Sequence, residues 1–357
     1  MALSRKQKRW LRQHRGLVNC IKALVVILVL CLGYFIATLF NENLKISNLL
    51  KNNENTQTES NGSSEGTTQS ATKAPEYVSM LYEFKEEEPD ELTKAATEYV
   101  PAADDKNPYL IKVNRASNCV TVYGKDENGY YSIPVKAFVC SSGKNVGDTP
   151  LGNGSITDKY TFHPMVDGTY GQFAVRFMSG GILFHSVPYY TNKKDQLETD
   201  QFNLLGSPAS LGCVRLCVRD SLWIYENCPK GTDVVVYDDE TNPGPLGKPE
   251  MIKIPVNSQF AGWDPTDPDE NNPWRQYSAV IEGTVDRTVN IGDTFDPMEG
   301  IVAVDTCGNV ITDRVKLVGS YDLGIPGVYS LTYKVEDLIG STDSKTVTIT
   351  VVDSIQK

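Results

Sequence analysis

Between residues 107 and 239 apolar and polar residues alternate in short runs. YLIKVNRASNCVTVYG reads as two strands around a turn, and YYSIPVKAFVCSSG as a third. GQFAVRFMSGGILFH (171–185) reads as strand, Gly-Gly turn, strand, and DVVVYDD (233–239) as a buried closing strand. GDTPLGNGSIT (147–157) interrupts the rhythm with Gly, Pro and Asn and is assigned to a loop, as is YTFHPMVDG around His163. VRDSLWIYENCPKGT predicts a helix with Asp220 as N-cap, a packed face of Leu222, Trp223 and Tyr225, and Pro229-Lys230-Gly231 as its end. Val/Ile/Thr/Tyr strands then recur at regular spacing over 278–353, the pattern of a small all-β sandwich. It lacks the Cys…Trp…Cys spacing of an antibody-type domain. The fold class expected is mainly β, with two β-sandwiches.

The rest of the chain follows other rules. ALVVILVLCLGYFIATLF (23–40) is an uncharged run of bilayer-spanning length. The basic segment before it (1–22) predicts a cytoplasmic N-terminus and an uncleaved transmembrane anchor, since the run exceeds a signal-peptide core and no small-x-small cleavage site follows. Everything after residue 41 is then expected outside the cell, attached to the cytoplasmic membrane through 23–40. Residues 41–106 are assigned to a flexible stalk or linker, Ser/Thr/Asn/Gln/Glu-rich over 52–76, with 83–100 acidic, partly helical and either linker or a weak packing element. Residues 240–277, rich in Pro, Asn and Asp, are assigned to a linker that drapes on a neighbour. The folded parts are therefore 107–239 and 278–353.

Charge excludes one partner class. The chain carries 34 Lys/Arg against 45 Asp/Glu, and its first 40 residues hold seven of those cations and no anion. No basic stripe remains downstream to neutralise phosphates, so nucleic acid is not an expected partner.

Eight cysteines raise the question of chemistry. Cys20 and Cys31 fall in or beside the anchor. Cys119, Cys140, Cys217 and Cys228 sit in apolar strand or helix contexts and read as small buried hydrophobes, while Cys307 is alone in its domain. Cys213, Cys217 and Cys228 lack a C-x-x-C pair and have few histidines to join them, so no metal site is expected. Cys213, in SLGCVRL (210–216), follows a glycine that permits a tight turn and the convergence of amides an acyl transfer needs. A thiol requires a nearby base. His185 ends the strand GGILFHS, and His163 could line the same cleft; the spacing leaves both open.

Taken together, IKVNRASNCVTVY, the loop SSGKNVGDTPLGNGSIT, GILFHS, SLGCVRL and GTDVVVYDD, in this order, resemble the L,D-transpeptidase catalytic domain (YkuD-type) over about 108–238. The resemblance implies a YkuD-type β-sandwich, with Cys213 as nucleophile and His185 as base. It places Ser210, Gly212 and Arg215 as supporting motif positions and Ser186 at the position whose backbone carbonyl orients the imidazole. The oxyanion is expected on amides around Gly212 and Cys213. It implies no cofactor, peptidoglycan stem peptides as substrate, and 3→3 cross-linking through a thioester with release of D-Ala. With water as acceptor the same site is an L,D-carboxypeptidase. One position departs from the family: Leu211 stands where the motif usually has His, a change expected to alter acceptor contacts, and one that a non-catalytic wall-binding protein would also carry. A sortase, the other extracellular Cys/His acyltransferase, would need a Thr-Leu-x-Thr-Cys motif that is not here. Residues 278–353 resemble a bacterial Ig-like module of cell-surface proteins, which implies spacing or wall contact.

Overall fold

The computed structural model describes residues 76–353. The basic tail, the anchor expected over 23–40 and the stalk as far as residue 75 lie outside the described residues. Among the described residues no helix is long and apolar enough to cross a membrane.

The described chain opens with strand β1 (Leu81–Phe84) and helix α1 (Glu91–Glu98). The first sandwich follows: β2 (Tyr109–Asn114), β3 (Cys119–Lys125), β4 (Tyr131–Val139), β5 (Gly152–Ser155), β6 (Asp158–Pro164), β7 (Tyr170–Met178), β8 (Ile182–Ser186), the short helix α2 (Thr199–Phe202), β9 (Val214–Leu216), α3 (Val218–Asn227) and β10 (Asp233–Tyr237). One sheet has the order β4-β3-β2-β10-β5 and the other β6-β7-β8-β9. Period-2 alternation buries Ile111, Val113, Val120, Val122, Val234 and Val236 on one inner face, against Val175, Phe177, Phe184, Val214 and Leu216 on the other. The Phe177 and Phe184 rings stack at 4.2 Å in the middle. Each such side chain contributes about 1.5–3 kcal/mol when fully buried. Two pairings are parallel, β2 with β10 and β8 with β9, and the second of them positions the site.

The C-terminal sandwich contains β11 (Val280–Glu282), β12 (Arg287–Asn290), β13 (Val302–Val304), β14 (Lys316–Asp322), β15 (Gly327–Glu336) and β16 (Thr342–Val352). Its main sheet has the order β1-β14-β15-β16-β12, with β11 and β13 paired separately. In β16 only Val347, Ile349 and Val351 are buried, and they share one core with Leu331, Tyr333 and Val335 of the neighbouring β15.

Three local expectations are corrected. Within the segment assigned to stalk or linker, the partial helix expected over 83–100 is present as α1, capped by Asp90 accepting from Thr93 N at 2.7 Å, but 81–84 is a strand: β1 pairs antiparallel with β14, and Tyr82 stacks on Tyr321 at 5.0 Å. Asp220 is not the N-cap of α3. That position is Cys217, which makes no side-chain cap, and the Val218 amide donates instead to Asp264 Oδ2 at 2.8 Å. The third is the loop assigned to 147–157, which contains β5, held by β10 rather than by intrinsic strand preference.

Asp264 belongs to the 240–277 segment, which lies along the first sandwich as a strap. Its Ile252, Ile254 and Trp274 share a core with Val187, Tyr189, Phe202 and Cys217, and with Cys307 of the second sandwich. The strap thus joins the two sandwiches through buried contact.

Candidate active site

SLGCVRL forms a braced turn leading into β9. The Ser210 hydroxyl accepts from Gly212 N at 3.0 Å and donates to Cys213 O at 2.5 Å, so one side chain closes the turn from both sides. Gly212 has φ +136°, a conformation that glycine alone adopts freely. Its carbonyl accepts from Thr149 Oγ1 at 2.7 Å, and Thr149 Oγ1 in turn accepts from Gly143 N at 2.8 Å. Ser141 and Arg215 exchange backbone hydrogen bonds of 2.9 Å, and Lys144 N donates to Ser210 O at 2.8 Å. The 141–149 loop is therefore the clamp that fixes the turn. One expectation changes: the Gly212 amide is spent on Ser210 and is not a free oxyanion donor.

The β8–β9 register sets His185 beside Arg215. Cys213 ends the turn immediately before β9, and its side chain reaches the same cavity as His185 and Arg215. His185, Cys213 and Arg215 all line a cavity of ≈ 220 Å³, together with His163, Met165, Asp167, Arg176 and Leu211. Leu211, at the motif position that usually carries His, is 65% exposed at its rim.

His185 is buried. Its Nδ1 lies 2.6 Å from Ser186 O, and since a carbonyl only accepts, Nδ1 carries the proton and Nε2 is left as the basic nitrogen. Burial, reinforced by the Arg215 charge, pulls its pKa down to about 4, so the ring is neutral at pH 7. Gly171 makes room for it: a Cβ there would stand 2.7 Å from His185 Nδ1. Ser186 serves through both backbone and side chain. Its hydroxyl accepts from Gln172 N at 2.8 Å and donates to Val187 O at 2.9 Å, tying β8 to β7.

Among the described cysteines, Cys213 alone is partly exposed; Cys119, Cys140, Cys217, Cys228 and Cys307 are buried. Burial drives their thiols upward, Cys119 to about 11 and Cys228 to about 12. The Cys213 thiol is also raised by desolvation, but the Leu183 backbone N–H and the Arg215 and Arg176 charges oppose that shift. Arg215 is itself buried. Its Nη1 donates to Gln201 Oε1 at 2.7 Å and Ala209 O at 3.2 Å, while its Nε has no partner.

Residues 108–236 match the model of the YkuD family, the L,D-transpeptidase catalytic domain, and residues 279–351 match that of the bacterial surface protein Ig-like domain. The chain carries an L,D-transpeptidase catalytic domain. A stretch of 57 residues, 16% of the chain, is 44% identical to YciB of Bacillus subtilis (strain 168), provisionally named an L,D-transpeptidase; it spans 28% of that protein's length. Solved structures similar to this chain include an L,D-transpeptidase from Mycobacterium smegmatis, at 20% identity and TM-score 0.30, with 36% of this chain and 58% of that one covered. An L,D-transpeptidase from Mycobacterium tuberculosis H37Rv gives 21% identity and TM-score 0.29, with 37% and 58% covered.

In the L,D-transpeptidase domain His163 is not on a loop, as its following proline suggested. It lies on β6, paired with Gly171 and stacked on Tyr160 at 4.2 Å, because proline is tolerated at a strand end. Thr149, Asp167, Gly171 and Arg176 escaped sequence reading altogether. The alternation of YGQFAVRFM could have shown that Arg176 shares a face with alternate residues of β7. Thr149 and Asp167 carry no such signal.

Proposed function

We propose that this chain is a peptidoglycan L,D-transpeptidase acting through a Cys213 thioester. The observation that carries the reading is the shared cavity of a partly exposed thiol and a neutral, oriented imidazole, within a domain whose family acts on peptidoglycan stem peptides. The resting pair is thiol and neutral imidazole, since one pKa is raised and the other lowered. As the sulfur attacks the carbonyl of the third stem residue, His185 Nε2 takes the thiol proton and then delivers it to the departing D-Ala amine. The tetrahedral intermediate carries a negative charge. The Arg215 guanidinium stabilises it, aided by amides of the turn other than that of Gly212. Arg215 lowers the pKa of both Cys213 and His185, so it favours total negative charge more than transfer between the two. A side-chain amine of a second stem then resolves the thioester into a 3→3 cross-link. The proposed location is the outer face of the cytoplasmic membrane, through an anchor at 23–40.

Mass spectrometry of the full chain after incubation with a carbapenem tests the nucleophile. The expected result is a single adduct that disappears in Cys213→Ala, together with D-Ala release from a tetrapeptide stem. No adduct and no release would overturn the enzymatic reading.

A further inference from the structure

The cavity holds two unlike electrostatic regions. Buried Arg215 lines it, as does the partly exposed Arg176, which lies 3.4 Å from Asp158 Oδ2; this side of the cavity suits the carboxylate-bearing end of a stem peptide. Its rim is formed in part by the β6–β7 hairpin, whose tip carries Asp167, among the described residues the one carboxylate lining the cavity. That carboxylate is held in place, with Oδ1 accepting from Thr169 N at 3.2 Å and Thr169 Oγ1 at 2.7 Å. The hairpin beneath it is closed by Met165 N donating to Thr169 O at 2.8 Å and Gly168 N to Met165 O at 3.1 Å.

From this placement we infer that Asp167 is the anchor for the acceptor's ammonium group, holding it at the mouth of the cavity beside the Cys213 thioester. The inference rests on the transpeptidase reading and assigns its second substrate a recognition point. The Asp167 field reaches the reacting groups: it opposes ionisation of Cys213 and favours the charged forms of His185 and Arg215. The Asp167 side chain accepts from Thr169 through Oδ1, which leaves Oδ2 for an incoming cation. In the step itself the ammonium first loses one proton to solvent. The neutral amine then attacks the thioester carbonyl, the C–N bond forms and the C–S bond breaks. The second N–H proton passes through His185 Nε2 to the leaving sulfur, restoring the thiol. Water needs no such anchor, so Asp167 biases the acyl-enzyme toward cross-linking over hydrolysis.

The experiment loads the full-length enzyme with a tetrapeptide donor and offers two acceptors separately. One is Nα-acetyl-lysine, whose amine is protonated at neutral pH, and the other is hydroxylamine, which is uncharged there. Aminolysis is read as amide product over hydrolysis product, a ratio set after acylation. In Asp167→Asn that ratio is expected to fall about fivefold for acetyl-lysine and to hold for hydroxylamine, the scale of an exposed ion pair. Asp167→Glu restores most of it, and raising the salt concentration shrinks the wild-type preference for acetyl-lysine. Equal losses for both acceptors, or no change for either, overturn the assignment. Failure of the wild-type chain to release D-Ala or form an acyl-enzyme, seen before any acceptor is added, is a failure of the transpeptidase reading and takes this inference with it.

Discussion

Gly212→Ala is the most direct test of the braced turn. At φ +136° a side chain is strained, at a cost of about 1–3 kcal/mol. The new Cβ would also stand 2.6 Å from Asp148 O and 3.1 Å from Ile182 Cδ1. The first of these is a backbone atom and cannot swing aside as a side-chain end does. Asp148 is held in a turn by its own N–H to Asn145 O at 3.1 Å, and the next residue, Thr149, is bonded to the Gly212 carbonyl. Relief must therefore come from the nucleophile turn, and the total destabilisation is expected to be about 2–4 kcal/mol. Displacing Cys213 by about 1 Å would slow acylation roughly 100-fold. Gly129→Ala serves as the control: φ is +81° but nothing lies within 4 Å of its Cβ, so only the backbone term of about 1 kcal/mol applies. The assay pairs thermal unfolding with the rate of carbapenem adduct formation. A Gly212→Ala protein that melts like the wild type and acylates within about twofold of its rate would refute the reasoning.

Four further outcomes follow from the site. Acylation should persist well below neutral pH and fail as the pH drops through about 4, where His185 protonates and can no longer take the thiol proton; a pH–rate profile of adduct formation reads this. Folding stability responds to the same group: its folded pKa is depressed, so stability is complete above about pH 6.5 and is lost toward pH 4, by about 3 kcal/mol, a loss that denaturant melts of His185→Gln should not show. Arg215→Gln removes a charge that lowers both reacting groups, so the acid limb of the profile should move upward and the thiol pKa should rise; an unmoved limb would contradict the assigned electrostatics. Ser186→Ala strands the Gln172 amide in the core and should lower stability by about 1–3 kcal/mol, yet leave the acid limb in place, because the imidazole is held by a backbone carbonyl.

The strands were legible wherever alternation was driven by burial, as in β2, β3, β7 and β16. Local marks left His163 and His185 both open as partners for Cys213; the expectation of Cys213 with His185 came from the resemblance of several segments taken together, and the fold brings all three side chains to one cavity. What escaped was set by partners distant in sequence. GNGS became β5 because β10 offers it a ladder, and LYEF, within the segment assigned to the stalk, became β1 because it pairs with β14. Asp220 satisfied the sequence rule for a cap, but Asp264, 46 residues beyond Val218, supplied the acceptor. The same holds inside the turn: the freedom of Gly212 was readable, whereas the Ser210 hydroxyl that occupies its amide was not.

The pairing of β1 with β14 also decides where mechanical load enters the molecule. A strand that precedes the L,D-transpeptidase domain in sequence is stitched into the sandwich that follows it, and Tyr77 Oη donates to Asp353 Oδ2 at 2.9 Å, so the two ends of the described chain meet. A pull on the polypeptide ahead of residue 76 is therefore taken up first by the edge of the Ig-like sheet. The β6-β7-β8-β9 sheet, which holds His185 and positions Cys213, lies outside that force path until β1 peels away. Tension applied at residue 76 would then strip a peripheral strand before it disturbed the spacing of the reacting groups.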